Sequence, residues 1–582
     1  MTPSTQWFAA LVPAACVFSL LSPVSSETAG AEAAGVEREY VVVFDRYVDH
    51  ARQDVTQAGG TVIDVNQQIG LALVRSTDRH FQDDVRAEAG VRGVMFNQAV
   101  GMSRPDMPHM SAPERPTREE RRRAAANARA VVQDEDTQEE QTAEFPWPAP
   151  TPEPLADRQW DMTMIGATAD GAHRQVTGAG VDVGIIDTGI DARHPDIAPN
   201  FDYARSRNFA TDRPEIDGPC EVPTCVDPPD VDGRGHGTHV AGTIAAARNG
   251  FGIAGVAPDA KLINLRAGQD SGYFFLYETV DALVEAGDLG LDVVNMSFYT
   301  DPWLYNCDSR DDYVSGEVTD EELEQQRLAR QVVGAALEYA HTRGVTLVAA
   351  SGNEHTDLAA PERVDPFVPG VGSPARTRTV RHDCINLPSE GPHVISVGAV
   401  GPTGTKADYS NYGLGSIAVT APGGWLRDGI GTPDYETPDN LILSSYPQDE
   451  AIAQGLADAG GAPIDGFSLR YCDAIGLSCG FYTYLQGTSM AAPHVVGVVA
   501  LIIQREGSGT PLTGYSLAPD RVAELLAQTS VDQPCPVGGA EDYTDEGRAS
   551  TWTALCTGGA AVNSLYGEGI VNAAAVSLNP NR

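Results

Sequence analysis

The stretch Gly487-Thr488-Ser489-Met490-Ala491-Ala492-Pro493-His494 runs straight into the apolar Val495–Ile503, and it constrains the fold more than any other part of the chain. A small glycine turn opens into a hydroxyl residue at the first turn of a helix apolar enough to demand burial. The start of such a helix carries unpaired backbone N–H groups and a partial positive charge. A serine placed there stands beside ready-made donors for an oxyanion formed on the group it attacks. A glycine followed by a capping Thr or Ser would explain three of these residues as an ordinary helix start. It does not explain the whole run. A nucleophilic serine also requires a base, an acid to orient the base, and an oxyanion donor.

Each of these parts has a candidate upstream, set in a regular pattern. From Leu155 onward, short apolar strand-like runs (Val181–Ile186, Lys261–Ala267, Leu291–Phe298, Val345–Ala350, Val394–Val400 and Ile417–Thr420) alternate with the helical patterns His236–Ala247, Phe275–Asp288 and Glu321–Arg343. Alternation of this kind predicts an α/β fold, a parallel sheet with helices on both faces. Working residues in such sheets gather at the carboxyl ends of strands. Asp187 closes the first run and opens Asp187-Thr188-Gly189-Ile190, with His194-Pro195-Asp196 just beyond. A carboxylate there can accept a bond from an imidazole and fix its tautomer; Asp before Thr-Gly is also a common strand-end turn. His236-Gly237-Thr238-His239-Val240-Ala241-Gly242-Thr243 heads a helix. Its histidines are spaced i, i+3 with no Glu between, unlike the His-Glu-x-x-His of zinc proteases. Asn353, in Ser351-Gly352-Asn353-Glu354, ends another strand.

Together these segments resemble the subtilisin-like serine proteases, or subtilases, over about residues 156–577. The similarity includes Tyr409-Ser410-Asn411-Tyr412-Gly413, Ala421-Pro422-Gly423 and Gly567-Glu568-Gly569-Ile570-Val571-Asn572. The resemblance implies a catalytic triad of Asp187, His236 and Ser489, in the chain order the family uses. It implies an oxyanion hole from the Asn353 amide and the Ser489 N–H, with Ser297 and Gly352 lining the substrate groove. His239 is then structural. After Asn295-Met296-Ser297 the family has Leu and glycines; Phe298-Tyr299-Thr300 stand here, which puts a glycine-lined pocket wall in doubt. Asp196 and Asn249 match positions of a family calcium site, although a matching ligand near the start of the domain is missing. The expected chemistry needs no cofactor, and calcium would be structural.

The N-terminal part reads differently. Residues 1–31, with the apolar Trp7–Leu21, read as a secretory signal whose n-region lacks Lys and Arg. Residues 38–103 follow a β-α-β-β-α-β order: Glu39–Phe44, Asp49–Ala58, Thr61–Val65, Gly70–Val74, Asp78–Ala89 and Val91–Gln98. That predicts a small ferredoxin-like α+β unit, and it resembles the inhibitory propeptide domain of subtilases. Residues 104–155 hold a Pro-bracketed Arg/Ala-rich segment and the acidic Asp134–Glu144, the composition of a disordered linker. Arg121-Arg122-Arg123 within it reads as a processing site or a solvated charged helix.

A formal net charge of -41 argues against a nucleic-acid partner. Nine cysteines occur. With Cys16 lost in the signal, the even remainder favours disulfides. Proximity suggests Cys220–Cys225, Cys472–Cys479 and Cys535–Cys556, leaving Cys307–Cys384, although sequence does not fix connectivity. The resulting expectation is a secreted, monomeric serine endopeptidase made as a self-processing zymogen. Its partners would be polypeptide substrates and its own propeptide, with no membrane contact after signal removal. A dedicated maturation protease, a peptide macrocyclase and an inactive subtilase-fold binding protein stand as alternatives. Two stretches, Asp301–Asp320 and Gly424–Tyr484, are longer than a minimal catalytic core needs.

Overall fold

The structure, a computed structural model, describes residues 37–45, 51–97, 99–102, 152–214, 216–298, 303–365 and 377–578. The signal segment, most of the linker, Tyr299 and Thr300 lie outside the described residues.

Strands such as Val293–Met296 and Thr346–Ala350 are buried at every position. A strand apolar on both sides is stable only in a sheet covered on both faces. The sheet has seven strands in the spatial order Val419–Pro422, Val394–Val400, Thr346–Ala350, Val293–Met296, Asp182–Ile186, Lys261–Arg266, Arg207–Asn208. Every neighbouring pair is parallel. Alternate side chains part to opposite faces. Val183, Ile185, Val348 and Val397 share one core with the helices His236–Ala245 and Thr488–Glu506. Ile186, Ile263, Val294 and Leu347 share the other with Leu276–Leu289 and Asp320–Thr342. The latter helix begins with a capping box, Thr319 Oγ1 accepting from Glu322 N at 3.1 Å and Glu322 Oε2 from Thr319 N at 2.8 Å.

The chain enters the sheet at Asp182–Ile186, builds Arg207–Asn208 and Lys261–Arg266 on one side, then crosses to Val293–Met296 on the other. The strand order therefore reverses between Asp182–Ile186 and Val293–Met296. A crevice opens at the carboxyl ends of two such strands. Helix Thr488–Glu506 is long and apolar enough to span a membrane, but 89% of its most apolar window is buried inside the protein.

The N-terminal unit has the expected β-α-β-β-α-β order. Its strands lie as Thr61–Asn66, Leu71–Ser76, Arg38–Phe44, Val91–Phe96, with antiparallel pairings and the short helices Ala51–Gln57 and Phe81–Arg86. On one face, Tyr40, Val42, Phe44, Phe81 and Val85 form its own core. On the other, Val41, Val43, Leu71, Leu73 and Met95 join Val280, Val284, Leu328 and Val332 of the two outer helices. Beyond this sheet, Ala99–Met102 pairs antiparallel with Tyr273–Phe275 of the large unit.

All four expected disulfides form: Cys220–Cys225, Cys307–Cys384, Cys472–Cys479 and Cys535–Cys556. The longer insertion folds as an antiparallel sheet of Ile442–Tyr446, Cys479–Leu485 and Ser468–Cys472, with Cys472–Cys479 closing its hairpin.

Candidate active site

Asp187 follows strand Asp182–Ile186 directly and is fully buried. Its Oδ1 accepts from Thr188 N and faces His236 Nδ1, each at 2.8 Å. The ring nitrogen facing a carboxylate carries the proton, so in the neutral ring Nε2 holds the lone pair. His236 starts its helix and is also fully buried. The next residue must be glycine, because a Cβ on Gly237 would sit 2.1 Å from Gly189 O in the Asp187 turn. Close approach of helix to turn is what brings imidazole to carboxylate.

Asp232 holds this helix start together, and the sequence reading missed it. Its oxygens accept from Gly235 N at 2.8 Å, Thr238 N at 2.9 Å, Thr238 Oγ1 at 2.6 Å and Thr188 Oγ1 at 3.0 Å. Burial nevertheless pushes its carboxyl above the usual range. The legible signal was an acid just ahead of a helix start, where unpaired N–H groups need an acceptor.

Ser489 stands in the first turn of its helix and is 6% exposed. Pro493 has no N–H to donate to the Ser489 carbonyl. Ser297 Oγ supplies that donor, at 3.0 Å, and Ser489 Oγ donates in return to Ser297 O at 3.2 Å. Ser297 follows strand Val293–Met296, so the crevice places it beside the nucleophile candidate. The hydrogen bonds described for Ser489 are both to Ser297. A hydroxyl handing its proton to His236 must first leave that bond.

Asn353 Oδ1 accepts from Thr488 N and Thr488 Oγ1, each at 2.9 Å. Thr488 Oγ1 in turn accepts from Gly352 N at 3.1 Å. Thr488 thus commits the amide oxygen and leaves the NH2 as the group Asn353 can aim at an oxyanion. Gly352 has φ +102, and a Cβ there would meet Asn411 Nδ2 at 2.5 Å. Asn411 clamps the loop by donating to Ser351 O and Glu354 Oε2, each at 2.9 Å. His239, expected to be structural, is buried with Nε2 at 3.1 Å from Ile442 O and Thr483 O.

Asp196 is fully buried; Oδ2 accepts from Tyr482 OH at 2.7 Å and Ile253 N at 3.1 Å, while Oδ1 has no hydrogen-bond partner among the described residues. Burial, with the charge of Glu153 nearby, pushes its carboxyl up to about 8. Glu153 Oε2 is also buried and without such a partner. Asn249 lies beside Asp196 and bonds Pro195 O at 3.0 Å. Two buried carboxylates sharing a site favour a cation, and an all-oxygen set suits calcium. These residues fit the ion, and Glu153 would supply the ligand near the domain start that the sequence reading did not place. The sequence placed Glu153 in the linker; here Leu155 N donates to Gly252 O at 2.8 Å and draws it in.

A family model described as the subtilase family matches residues 178–569. Among curated relatives, fervidolysin of Fervidobacterium pennivorans is 28% identical over 65% of this chain and 41% of its own length. M-protease of Shouchella clausii is 29% identical over 60% of each chain. The nisin leader peptide-processing serine protease NisP of Lactococcus lactis is 27% identical over 61% of this chain and 45% of its own. The chain thus spans only two to three fifths of the length of these relatives. The crystal structure of the epidermin leader peptide processing serine protease of Staphylococcus aureus aligns with TM-score 0.59 at 18% identity, covering 94% of this chain and 99% of that one. The fold is shared.

Proposed function

Because the chain belongs to the subtilase family, we propose that it hydrolyses peptide bonds in polypeptides through Asp187, His236 and Ser489. The observation that carries this is the 2.8 Å bond between Asp187 Oδ1 and His236 Nδ1, both groups fully buried. His236 Nε2 takes the Ser489 proton and the alkoxide attacks the peptide carbonyl. The Asn353 amide and the Ser489 N–H receive the oxyanion. His236 then protonates the leaving amine, and water hydrolyses the acyl-enzyme. Ser297 and Gly352 flank the substrate chain. Asp196, Asn249 and Glu153 would hold a calcium ion, which would neutralise the buried carboxylates and take no part in the chemistry.

The N-terminal unit acts as an intramolecular inhibitor of a secreted, self-processing zymogen. Support comes from Ala99–Met102, paired onto Tyr273–Phe275, whose Phe274 stacks at 4.2 Å on Phe298, the neighbour of Ser297. The tail therefore leads toward the crevice. A test is to secrete wild type and Ser489→Ala and sequence their N-termini: wild type should lose the unit, while Ser489→Ala keeps it. Equal cleavage of both would contradict self-processing.

A second reading, a dedicated maturation protease, is supported by the likeness to the nisin leader peptide-processing serine protease NisP. Digestion of a broad peptide library separates the two, since a maturation enzyme should cut few members.

A further inference from the structure

At the amino end of the sheet, away from the crevice, three separate elements bring titratable side chains together. His341 lies in the last turn of helix Asp320–Thr342, His393 immediately before strand Val394–Val400, and Asp520 in the first turn of helix Pro519–Thr529. The two imidazoles stack with centroids 3.7 Å apart and planes 10° from parallel. His341 Nε2 is 3.2 Å from Asp520 Oδ1, and His393 Nε2 is 2.8 Å from Glu338 Oε2. One ligand atom from each of His341, His393 and Asp520 falls within 4.8 Å of the others. His393 also holds a left-handed backbone, φ 62, a conformation in which His, Asn and Asp are enriched among residues with a side chain. Nothing in the proposed peptide hydrolysis uses any of these groups.

We infer that His341, His393 and Asp520 form a binding site for a divalent transition metal, zinc by preference, with Glu338 as a further oxygen donor. Two imidazoles with carboxylates are a borderline-soft set; they select zinc, copper or nickel over calcium and magnesium. Two nitrogens on one zinc ion stand about 3.3 Å apart when each bond is ~2.0–2.1 Å and the angle tetrahedral. The ligand atoms already lie within 4.8 Å of one another, and the nearly parallel rings must rotate out of their stack for both in-plane lone pairs to meet one ion. Asp520 is 84% exposed at its side chain and Glu338 55%, so both can swing to complete the shell. Each ring presents one nitrogen lone pair to the ion, and protons shared between rings and carboxylates leave to solvent.

A second gathering of acids, Asp212, Glu221, Asp227 and Asp270, has a different answer. There the buried Arg266 guanidinium already meets Asp212, Asp227 and Asp270 at 3.4, 2.9 and 2.8 Å. The histidine site has no such built-in cation among its described contacts. An ion there would tie a helix end, a helix start and a strand start, and so act on stability and not on turnover.

The test is calorimetric titration of the inhibitor-blocked full chain with zinc chloride in saturating calcium, paired with thermal unfolding. One zinc ion should bind and raise Tm, while magnesium should not. His393→Asn, which keeps a residue tolerant of the left-handed backbone, should weaken zinc at least about tenfold. Asp520→Asn, at an exposed position, should weaken it less. Peptide hydrolysis without zinc should be unchanged in both. No zinc heat in wild type, or equal zinc affinity in wild type and His393→Asn, would overturn the site.

Discussion

The two helical layers over the central sheet are built for different purposes. Helix Thr488–Glu506 is enclosed: Thr488 through Ile503 are all buried, and even the carbonyl freed by Pro493 finds Ser297. The opposite pair, Leu276–Leu289 and Asp320–Thr342, presents an outer side, and the N-terminal sheet covers it. That cover buries acids. Asn66 Nδ2 donates to Asp281 Oδ1 at 2.7 Å, and Asn97 Nδ2 to Glu278 Oε2 at 3.3 Å. Burial pushes Glu278 up to about 7 and Asp281 to about 6. An enclosed layer holds its first-turn serine in one place. A layer that hides carboxylates under a second sheet makes its grip on that sheet depend on their protonation.

The comparison breaks most visibly at the enclosed helix. Ser489→Ala should cut casein hydrolysis ~10⁶-fold, a magnitude measured in subtilisin, whereas Glu278→Gln on the opposite layer should leave turnover of processed enzyme unchanged. Steady-state kinetics of both variants would decide, and comparable losses would erase the distinction. Next is Asn353→Leu, expected to cost about 10²–10³-fold in kcat with little change in KM, again on a subtilisin scale.

The covered layer predicts a pH dependence. Facing Glu278 and Asp281 are Glu39, Asp64, Asn66, Asn97 and Arg213, with Glu285 and Asp288 on their own helix. Both acids have docked pKa values raised by burial, and exposure on release returns them toward ~4. Docking is therefore strongest below about pH 4 and weakens as pH rises through about 7, where it levels off. Inhibition of processed enzyme by added residues 37–103 should weaken by about one to two orders of magnitude across that window. Glu278→Gln should flatten the curve; an unchanged curve would contradict it. Asn97→Ala should weaken inhibition by a smaller factor, about tenfold, by leaving Glu278 short of a donor.

Smallest is the calcium response. A chelator should lower Tm of wild type by several degrees, in line with mass-action stabilisation by a bound ion. Asp196→Asn should be indifferent to the chelator.

The sheet was legible because its strands are apolar on both sides and separated by helical periods, as Val345–Ala350 is by the preceding Glu321–Arg343. The two-residue strand Arg207–Asn208 was not, since nothing apolar marks it. Asp187, His236 and Asn353 were legible from strand ends and resemblance. Glu153 and Asp232 were not, for different reasons. Glu153 acts through a partner far along the chain, while Asp232 was overlooked although its place just ahead of a helix start marks an acceptor for unpaired N–H groups. The covering of Leu276–Leu289 by Val41 and Leu71 was also hidden, because one apolar alternation serves an internal core and an interface equally.

The central claim is that buried His236, oriented by Asp187, activates Ser489. A fluorophosphonate probe followed by peptide mapping tests it directly on wild type, His236→Ala and Ser489→Ala. The adduct should form on Ser489 in wild type, slow by orders of magnitude in His236→Ala and vanish in Ser489→Ala. Labelling of Ser489 at the wild-type rate without His236, or an active enzyme labelled elsewhere, would contradict it.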